Sequence, residues 1–305
     1  MSPTWPRCTW PRRVRWCGGN VALPPVIKRY FPHTIGRVSA MYTVAMSVTS
    51  LVAPLIAVPL SDTYGWRVAL IAWAIVPLLA TIPWIVEVRS GHAEHIDMTD
   101  THGPRLTLTK APTAWALALS LTVSSMTGYT MFAWMPAIAV DNAGLDISGG
   151  GVMLSLFAGI GLPWALLAPV LAARLKNVSW VVASGVALTV IGSLGFVLAP
   201  TAAPYLWALT LGSGPLLFPL SLVLINLRSE TTHSSLKLSA FTQFISYSGA
   251  AIAAPLMGWS HATTGNWTVG LLGLATFSLT GLWSAYILGK NRTVDQELRM
   301  KGLVN

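Results

Sequence analysis

The sequence predicts an all-α protein that crosses a membrane several times, and three observations carry this prediction. Of the 305 residues, 53% are hydrophobic and only 10% are charged, whereas a soluble domain carries about 25% charged residues. Several long stretches contain no Asp, Glu, Lys or Arg and exceed the roughly 20 residues that a transmembrane helix needs. The basic residues lie between these stretches, so the net charge of +9 indicates membrane topology rather than nucleic-acid binding.

Eight spans follow from the uncharged stretches, taken in order along the chain. The first four stretches hold one span each. The two longest, 178–227 and 238–289, hold two spans each, because Pro200 and Pro204 interrupt the first and the Gly265-Asn266 turn interrupts the second. The predicted spans are 38–60, 68–86, 113–137, 148–173, 178–199, 203–227, 238–260 and 267–289.

The basic residues test this order, because loops alternate between the two sides of the membrane. Arg67 is alone on one side of the predicted spans. The other side collects fourteen basic residues, namely Lys28, Arg29, Arg37, Arg89, Arg105, Lys110, Arg174, Lys176, Arg228, Lys237, Lys290, Arg292, Arg299 and Lys301. Such an excess marks the cytoplasmic side. We therefore expect a multi-pass protein of a bacterial inner membrane with its C-terminus in the cytoplasm.

An internal repeat relates the first pair of spans to the last pair. At a shift of 201 positions, Ala53-Pro54-Leu55 falls on Ala254-Pro255-Leu256, and Trp66, Val68 and Leu70 fall on Trp267, Val269 and Leu271. Chance similarity between two apolar hairpins is the alternative. Parallel repeats of this kind relate the two halves of some transporters. The spans 38–60 and 68–86 would then end a block of six helices, and residues 18–27 would be the stub of the helix before them.

Four stretches, spread over residues 19–289, resemble the major facilitator superfamily and, within it, the cyanate permease and nitroimidazole transporter family. They are Gly19-Asn20-Val21-Ala22-Leu23-Pro24 with Lys28 to Pro32 and Met41-Tyr42-Thr43; Gly65-Trp66-Arg67 with Ala69-Leu70 and Trp73-Ala74; Ala114-Trp115 with Ser125, Tyr129, Trp134-Met135-Pro136, Asp141 and Gly144; and Phe218-Pro219-Leu220 with Leu227-Arg228, Leu238 to Phe241, Gln243 and Tyr247. The resemblance implies twelve helices in two bundles of six, a solute site between the bundles, and alternating access.

Against that family pattern, we expect a major facilitator fold that lacks about the first three and a half of its twelve helices. Residues 1–17 hold four arginines, three prolines and three tryptophans, and arginine is costly at bilayer depth. We interpret 1–17 as an aberrant leader from a frameshift or misassigned start, with a real peripheral leader as the alternative. The remaining units are 18–86, a remnant of the N-terminal bundle; 87–112, a cytoplasmic linker; 113–289, a complete six-helix bundle; and 290–305, a cytoplasmic tail.

The candidate substrate-binding residues are aromatic or neutral polar. Ser125, Tyr129 and Phe132 follow at spacings of four and three, and Gln243 and Tyr247 are four apart, so each set shares a helix face. Phe218 follows the strongest kink signal, Gly212 to Pro215, and broken helices commonly form solute sites. The resemblance adds that 113–137 and 203–227 line the cavity and that Asn20 would contribute to it. For each residue, hydrogen bonding and packing between helices is the alternative.

The eight spans contain no Asp, Glu, Lys or Arg. A coupling proton would therefore require a carboxylate in the helices that we expect to be missing.

The sequence has neither a His-Glu-x-x-His nor a Gly-x-Ser-x-Gly pattern, which argues against an enzyme. His92 and His95 suggest a metal less strongly than a solvated linker, so we expect no metal or cofactor. The expected partners of this monomer are a small solute and the lipid bilayer, with no nucleic acid.

Two other functions stay open at this point. A truncated or mis-started product would transport nothing, because alternating access needs two bundles. A membrane scaffold or a membrane-embedded enzyme is the third hypothesis. The absent catalytic groups weigh against the enzyme, and the short soluble loops weigh against the scaffold.

Overall fold

A computed structural model describes residues 27, 34–90, 107–175 and 177–303. The predicted leader, Asn20, and both His92 and His95 lie outside these residues. Within them, the regular elements are twelve helices and two short 3₁₀ segments, Leu108–Lys110 and Gly214–Leu216. The helices are α1 (Ile35–Tyr64), α2 (Trp66–Ser90), α3 (Pro112–Asp141), α4 (Ile147–Gly159), α5 (Gly161–Arg174), α6 (Ser179–Leu198), α7 (Pro204–Ser213), α8 (Leu217–Leu227), α9 (Thr232–Thr264), α10 (Thr268–Ser278), α11 (Gly281–Leu288) and α12 (Val294–Met300).

The prediction of an all-α polytopic fold is confirmed, and each predicted span coincides with one helix or with two consecutive helices. In the described part of the chain, five segments are long and apolar enough to cross a membrane. They are Val44–Ser61, Ile147–Ala172, Ser179–Leu198, Pro204–Leu227 and Thr268–Leu288. In α2 the apolar segment Trp66–Ile82 is shorter. The helices α3 and α9 are the remaining two, and they are 30 and 33 residues long.

The kink predicted near Phe218 is confirmed. The helix stops at Ser213, passes through the 3₁₀ segment Gly214–Leu216 and resumes at Leu217. The hydroxyl of Ser124 on α3 donates a hydrogen bond to the carbonyl oxygen of Pro215 at 3.2 Å. A broken backbone inside a membrane protein needs such a partner. Breaks at Ile160 and at Leu279-Thr280 have weaker sequence signals and were not predicted.

Helix α3 lies at the centre of the bundle formed by α3 to α11. Its most extensive contact is with α9, and it also packs against α11, α4 and α8. Two hydrophobic clusters fill the bundle along its length, one around Leu117 and Leu217 and the other around Met131 and Trp267. Helix α1 lies against α4 and α5. We call the end of the bundle where α3 and α9 begin the near end, and the opposite end the far end.

The two corners related by the sequence repeat each contain a glycine with positive φ, but ψ is 157° at Gly65 and 8° at Gly265. Gly65 follows α1 with φ 83° and Gly265 follows α9 with φ 71°, a conformation that favours glycine. A tryptophan then opens the next helix in both corners, but Trp66 is 60% exposed whereas Trp267 is 2% exposed. The corners therefore share a positive-φ glycine and a following tryptophan, and they differ in turn conformation and in the burial of that tryptophan.

Candidate functional site

The helices α3 and α9 meet along a seam of small polar residues. The hydroxyl oxygen of Ser246 lies 2.7 Å from that of Ser125 and 3.0 Å from the carbonyl oxygen of Leu121. A Cβ atom added to Gly249 would lie 2.7 Å from Cγ2 of Thr122, so glycine is what permits this close approach. Ser125 and Ser246 are both buried, and they act in the seam as interhelical hydrogen-bonding partners.

One turn further along, the seam ends in a pair of tyrosines. The rings of Tyr129 and Tyr247 meet edge to face, with centroids 6.0 Å apart and an interplanar angle of 74°. Tyr42 of α1 is close enough to interact electrostatically with both phenols. We call Tyr42, Tyr129 and Tyr247 the tyrosine cluster.

The tyrosine cluster joins α1 to two helices of the bundle. Sequence reasoning identified Tyr129 and Tyr247 as candidates and missed Tyr42. The sequence feature that could have identified Tyr42 is its phenol group inside a predicted span, because a buried phenol needs a polar partner. Tyr129 is 50% exposed, so one face of the cluster is accessible.

The other predicted residues lie around this cluster in different environments. Phe132 is 41% exposed and meets Phe157 of α4 edge to face at 5.8 Å. Gln243 is buried, and its amide nitrogen donates to the hydroxyl of Ser239 at 2.9 Å, within α9. Phe218 is partly buried and packs against the cluster around Leu117. The structure therefore joins Tyr129 to Tyr247, buries Gln243 with a hydrogen bond inside α9, and packs Phe218 against the core.

Fixed charges lie away from Tyr129 and Tyr247. The charged residues of α1, α3 and α9 are Arg37, Asp62, Asp141 and Lys237, and each lies within about two turns of a helix end. No group of three or more His, Cys, Asp or Glu side chains that could hold a metal occurs among the described residues. What the cluster offers is hydroxyl donors and acceptors beside aromatic rings.

The far end of α3 is fixed to the α9–α10 corner by a second aromatic group. The indole nitrogen of Trp267 donates to a carboxylate oxygen of Asp141 at 2.9 Å. His261 stacks on Trp267 with centroids 3.9 Å apart, and its Nε2 lies 3.6 Å from the same Asp141 oxygen. Trp134 packs against Trp267 and donates to the carbonyl oxygen of Ala254 at 2.8 Å. These contacts hold α3 and α9 together beyond the tyrosine cluster.

Comparisons with known proteins agree on one family. The family model described as Major Facilitator Superfamily matches residues 17–254. The chain is 31% identical over 284 residues to the 2-nitroimidazole transporter of Escherichia coli K12. The aligned region covers 92% of this chain and 70% of that protein.

Two further relatives are transporters by name. The chain is 30% identical to the uncharacterized transporter YycB of Bacillus subtilis 168, over 82% of this chain and 62% of that protein. It is 28% identical to the cyanate transport protein CynX of Escherichia coli K12, over 81% of this chain and 64% of that protein. The chain thus spans about two thirds of the length of these relatives.

Proposed function

This chain belongs to the Major Facilitator Superfamily, in the group that contains the 2-nitroimidazole transporter and the cyanate transport protein, and on that premise we propose that it moves a small solute across a membrane by alternating access. The family consists of transporters and not enzymes. The solute that we propose is a cyanate-like anion, a nitroimidazole or a similar small organic compound. The observation that carries this proposal is the tyrosine cluster.

The position of the tyrosine cluster suits a solute site. Tyr129 and Tyr247 lie near the middle of their helices, roughly 25 Å from the near end at about 1.5 Å per residue. Transporter sites lie near the bilayer midplane, where two sets of helices meet. Tyr42 reaches the cluster from α1, which belongs to the proposed remnant unit 18–86, whereas Tyr129 and Tyr247 belong to the proposed unit 113–289.

The chemistry of the cluster suits a small planar solute that is neutral or singly charged. Phenol groups donate hydrogen bonds to nitro, ring nitrogen or cyanate acceptors. The half-exposed rings of Tyr129 and Phe132 provide flat apolar surface beside these donors. A multiply charged solute would require fixed counter-charges, and the fixed charges of α1, α3 and α9 lie near the helix ends.

Alternating access would move α1 across α4 and α5. At this contact a Cβ atom added to Gly159 would lie 2.8 Å from Cδ1 of Leu51, and one added to Gly161 would lie 3.6 Å from the hydroxyl of Ser47. Small residues let two helices approach closely in lipid. Because Tyr42 would move with α1 while Tyr129 and Tyr247 stay with the bundle, this motion would open and close the tyrosine cluster.

We place the near end in the cytoplasm, because fourteen of the nineteen basic residues of the sequence are predicted to lie on that side. The C-terminus is then cytoplasmic in a multi-pass protein of the bacterial inner membrane, active as a monomer.

Coupling of a proton to solute transport is testable by measuring uptake with and without an imposed pH gradient. Faster uptake with a gradient would indicate coupling.

The test uses the full chain in lipid nanodiscs and measures the binding of 2-nitroimidazole and of cyanate by calorimetry. Tyr42→Phe, Tyr129→Phe and Tyr247→Phe each remove one hydroxyl and should weaken binding by about two- to tenfold, as expected for one lost hydrogen bond. Tyr286→Phe is the matched control, because Tyr286 is 63% exposed and lies under Lys290. Equal binding by all four variants would refute the site, and uptake by vesicles containing the full chain tests transport itself.

A further inference from the structure

The first turn of α3 has no capping side chain of its own. The side chain of its N-cap residue, Ala111, cannot accept a hydrogen bond, and Pro112 follows it. The cap comes instead from α12, 184 residues away along the chain. One carboxylate oxygen of Glu297 accepts from the backbone nitrogen of Thr113 at 3.0 Å and the other accepts from the Thr113 hydroxyl at 2.8 Å. Glu297 therefore supplies the helix cap that Ala111 lacks.

A second carboxylate of the same short helix lies at the first turn of α9. Asp295 accepts from the backbone nitrogen of Glu230 at 2.8 Å and from the hydroxyl of Ser234. Asp295 and Glu297 are 5% and 6% exposed. Negative charge is favourable at the N-terminus of a helix, so the two buried carboxylates have their electrostatic partners in the first turns of α9 and α3.

Further contacts hold α12 against the near end. The backbone nitrogen of Val294 donates to the carbonyl oxygen of Arg228 at 2.9 Å. The buried guanidinium of Arg228 donates to the carbonyl oxygen of Leu288 at 3.2 Å, where the partial negative charge of the α11 C-terminus lies. Burial lowers the pKa of Arg228 below its ordinary value. Arg299 pairs with Glu230 at 3.0 Å on the partly exposed surface.

We propose that α12 is a clasp in which Glu297 and Asp295 fix the near ends of α3 and α9 relative to each other and thereby position Tyr129 against Tyr247. The clasp joins the two helices that carry five of the predicted binding residues. It acts at the near end, opposite the Asp141, His261 and Trp267 contacts of the far end. The positioning role rests on the proposed function, whereas the mechanical tie between the two helices does not.

The first measurement is amide hydrogen exchange of the full chain in nanodiscs. Glu297→Ala should raise exchange in the first turn of α3 by at least about fivefold, the factor to which a lost helix cap corresponds. Because Glu297 makes no recorded hydrogen bond with α9, a simple cap would leave α9 unchanged. The clasp requires faster exchange in the first turn of α9 as well. Lys290→Gln is the control at the same end of the bundle, because the ammonium of Lys290 lies over the ring of Tyr286, and it should change exchange by less than about twofold.

A rescue variant separates the cap from the tie. Ala111 has an extended backbone that suits a serine N-cap, so adding Ala111→Ser to Glu297→Ala should restore the first turn of α3. The clasp predicts that exchange in the first turn of α9 stays fast in this double variant. Recovery of α9, or an unchanged α9 in Glu297→Ala alone, would overturn the tie.

Binding of 2-nitroimidazole then tests the positioning role. Glu297→Ala should weaken binding by about two- to thirtyfold, the range produced by substitutions remote from a ligand, and Ala111→Ser should not restore it. Full recovery of binding in the double variant would overturn positioning. If the unmodified chain binds neither 2-nitroimidazole nor cyanate, the proposed function fails, and the exchange of α9 still decides whether the clasp exists.

Discussion

Substituting Gly249 by alanine tests whether the seam between α3 and α9 sets the geometry of the tyrosine cluster. The new Cβ atom would lie 2.7 Å from Cγ2 of Thr122, whereas carbon atoms in contact are about 3.5–4.0 Å apart. Thr122 is held in place, because its hydroxyl donates to the carbonyl oxygen of Ala118 at 2.7 Å. The helices must therefore separate by roughly 1 Å at this point.

The magnitude follows from three contributions to the free energy of unfolding. Overpacking of a filled interior costs about 1–3 kcal/mol, and replacing glycine by alanine inside a helix returns up to about 1 kcal/mol. The 2.7 Å contact between Ser125 and Ser246 lies one turn away and would lengthen, with a loss of about 1 kcal/mol. We expect Gly249→Ala to destabilise the protein by about 1–3 kcal/mol and to weaken 2-nitroimidazole binding.

The assay is reversible unfolding of the full chain in mixed micelles, followed by calorimetric binding. Thr122→Ser keeps the hydroxyl and removes the methyl group, so it should restore both stability and binding to Gly249→Ala. Gly273→Ala is the matched control, because a Cβ atom there meets nothing within 4 Å. A stable Gly249→Ala variant, or one that Thr122→Ser fails to rescue, would refute the reasoning.

Three further predictions concern other contacts. Gly192→Ala would place a Cβ atom 2.6 Å from the backbone nitrogen of Leu211. Because α6 and α7 cannot both keep their positions, this substitution should lower the free energy of unfolding in the same assay by about 1–3 kcal/mol. Asp146→Ala removes the cap that accepts from the Gly149 nitrogen at 2.8 Å, at a cost of about 1 kcal/mol, whereas Asp146→Asn should retain most of that stability. Trp267→Phe removes the hydrogen bond to Asp141 and should speed amide exchange at the far end of α3 but not at its near end; uniform change along α3 would contradict this.

Most of the helical framework could be predicted from the sequence, because uncharged length and loop charge are local properties. The break at Gly214–Leu216 could also be predicted, since Pro215 and its neighbouring glycines disfavour a regular helix. The break at Ile160 was not predicted, because its sequence signal is weaker. Its local signal is two glycines, and the packing of α1 against Gly159 and Gly161 comes from tertiary structure.

The candidate site could be predicted in part. Helical spacing grouped Tyr129 with Ser125 and Gln243 with Tyr247, but spacing alone does not say which neighbour each face meets. Ser125 meets Ser246 in the seam, and Tyr129 meets Tyr247. The clasp could not be predicted from the sequence, for a different reason. Glu297 and Asp295 lie in a short polar segment that reads as a solvated tail, and their burial depends on helix ends more than sixty residues away.

The polar content of α3 and α9 has a structural cause that bears on the site. These two helices are absent from the five segments that are apolar enough to cross a membrane, yet they are the longest helices of the bundle. All seven Ser and Thr residues of α3 are buried, and the hydroxyls of all but Thr130 bond to their own helix or to a neighbouring one. A helix surrounded by protein on most sides needs little apolar surface for lipid. For α3, which carries Tyr129, low hydropathy without internal charges therefore marks a position inside the bundle, whereas α9, which carries Tyr247, buries only ten of its 33 residues.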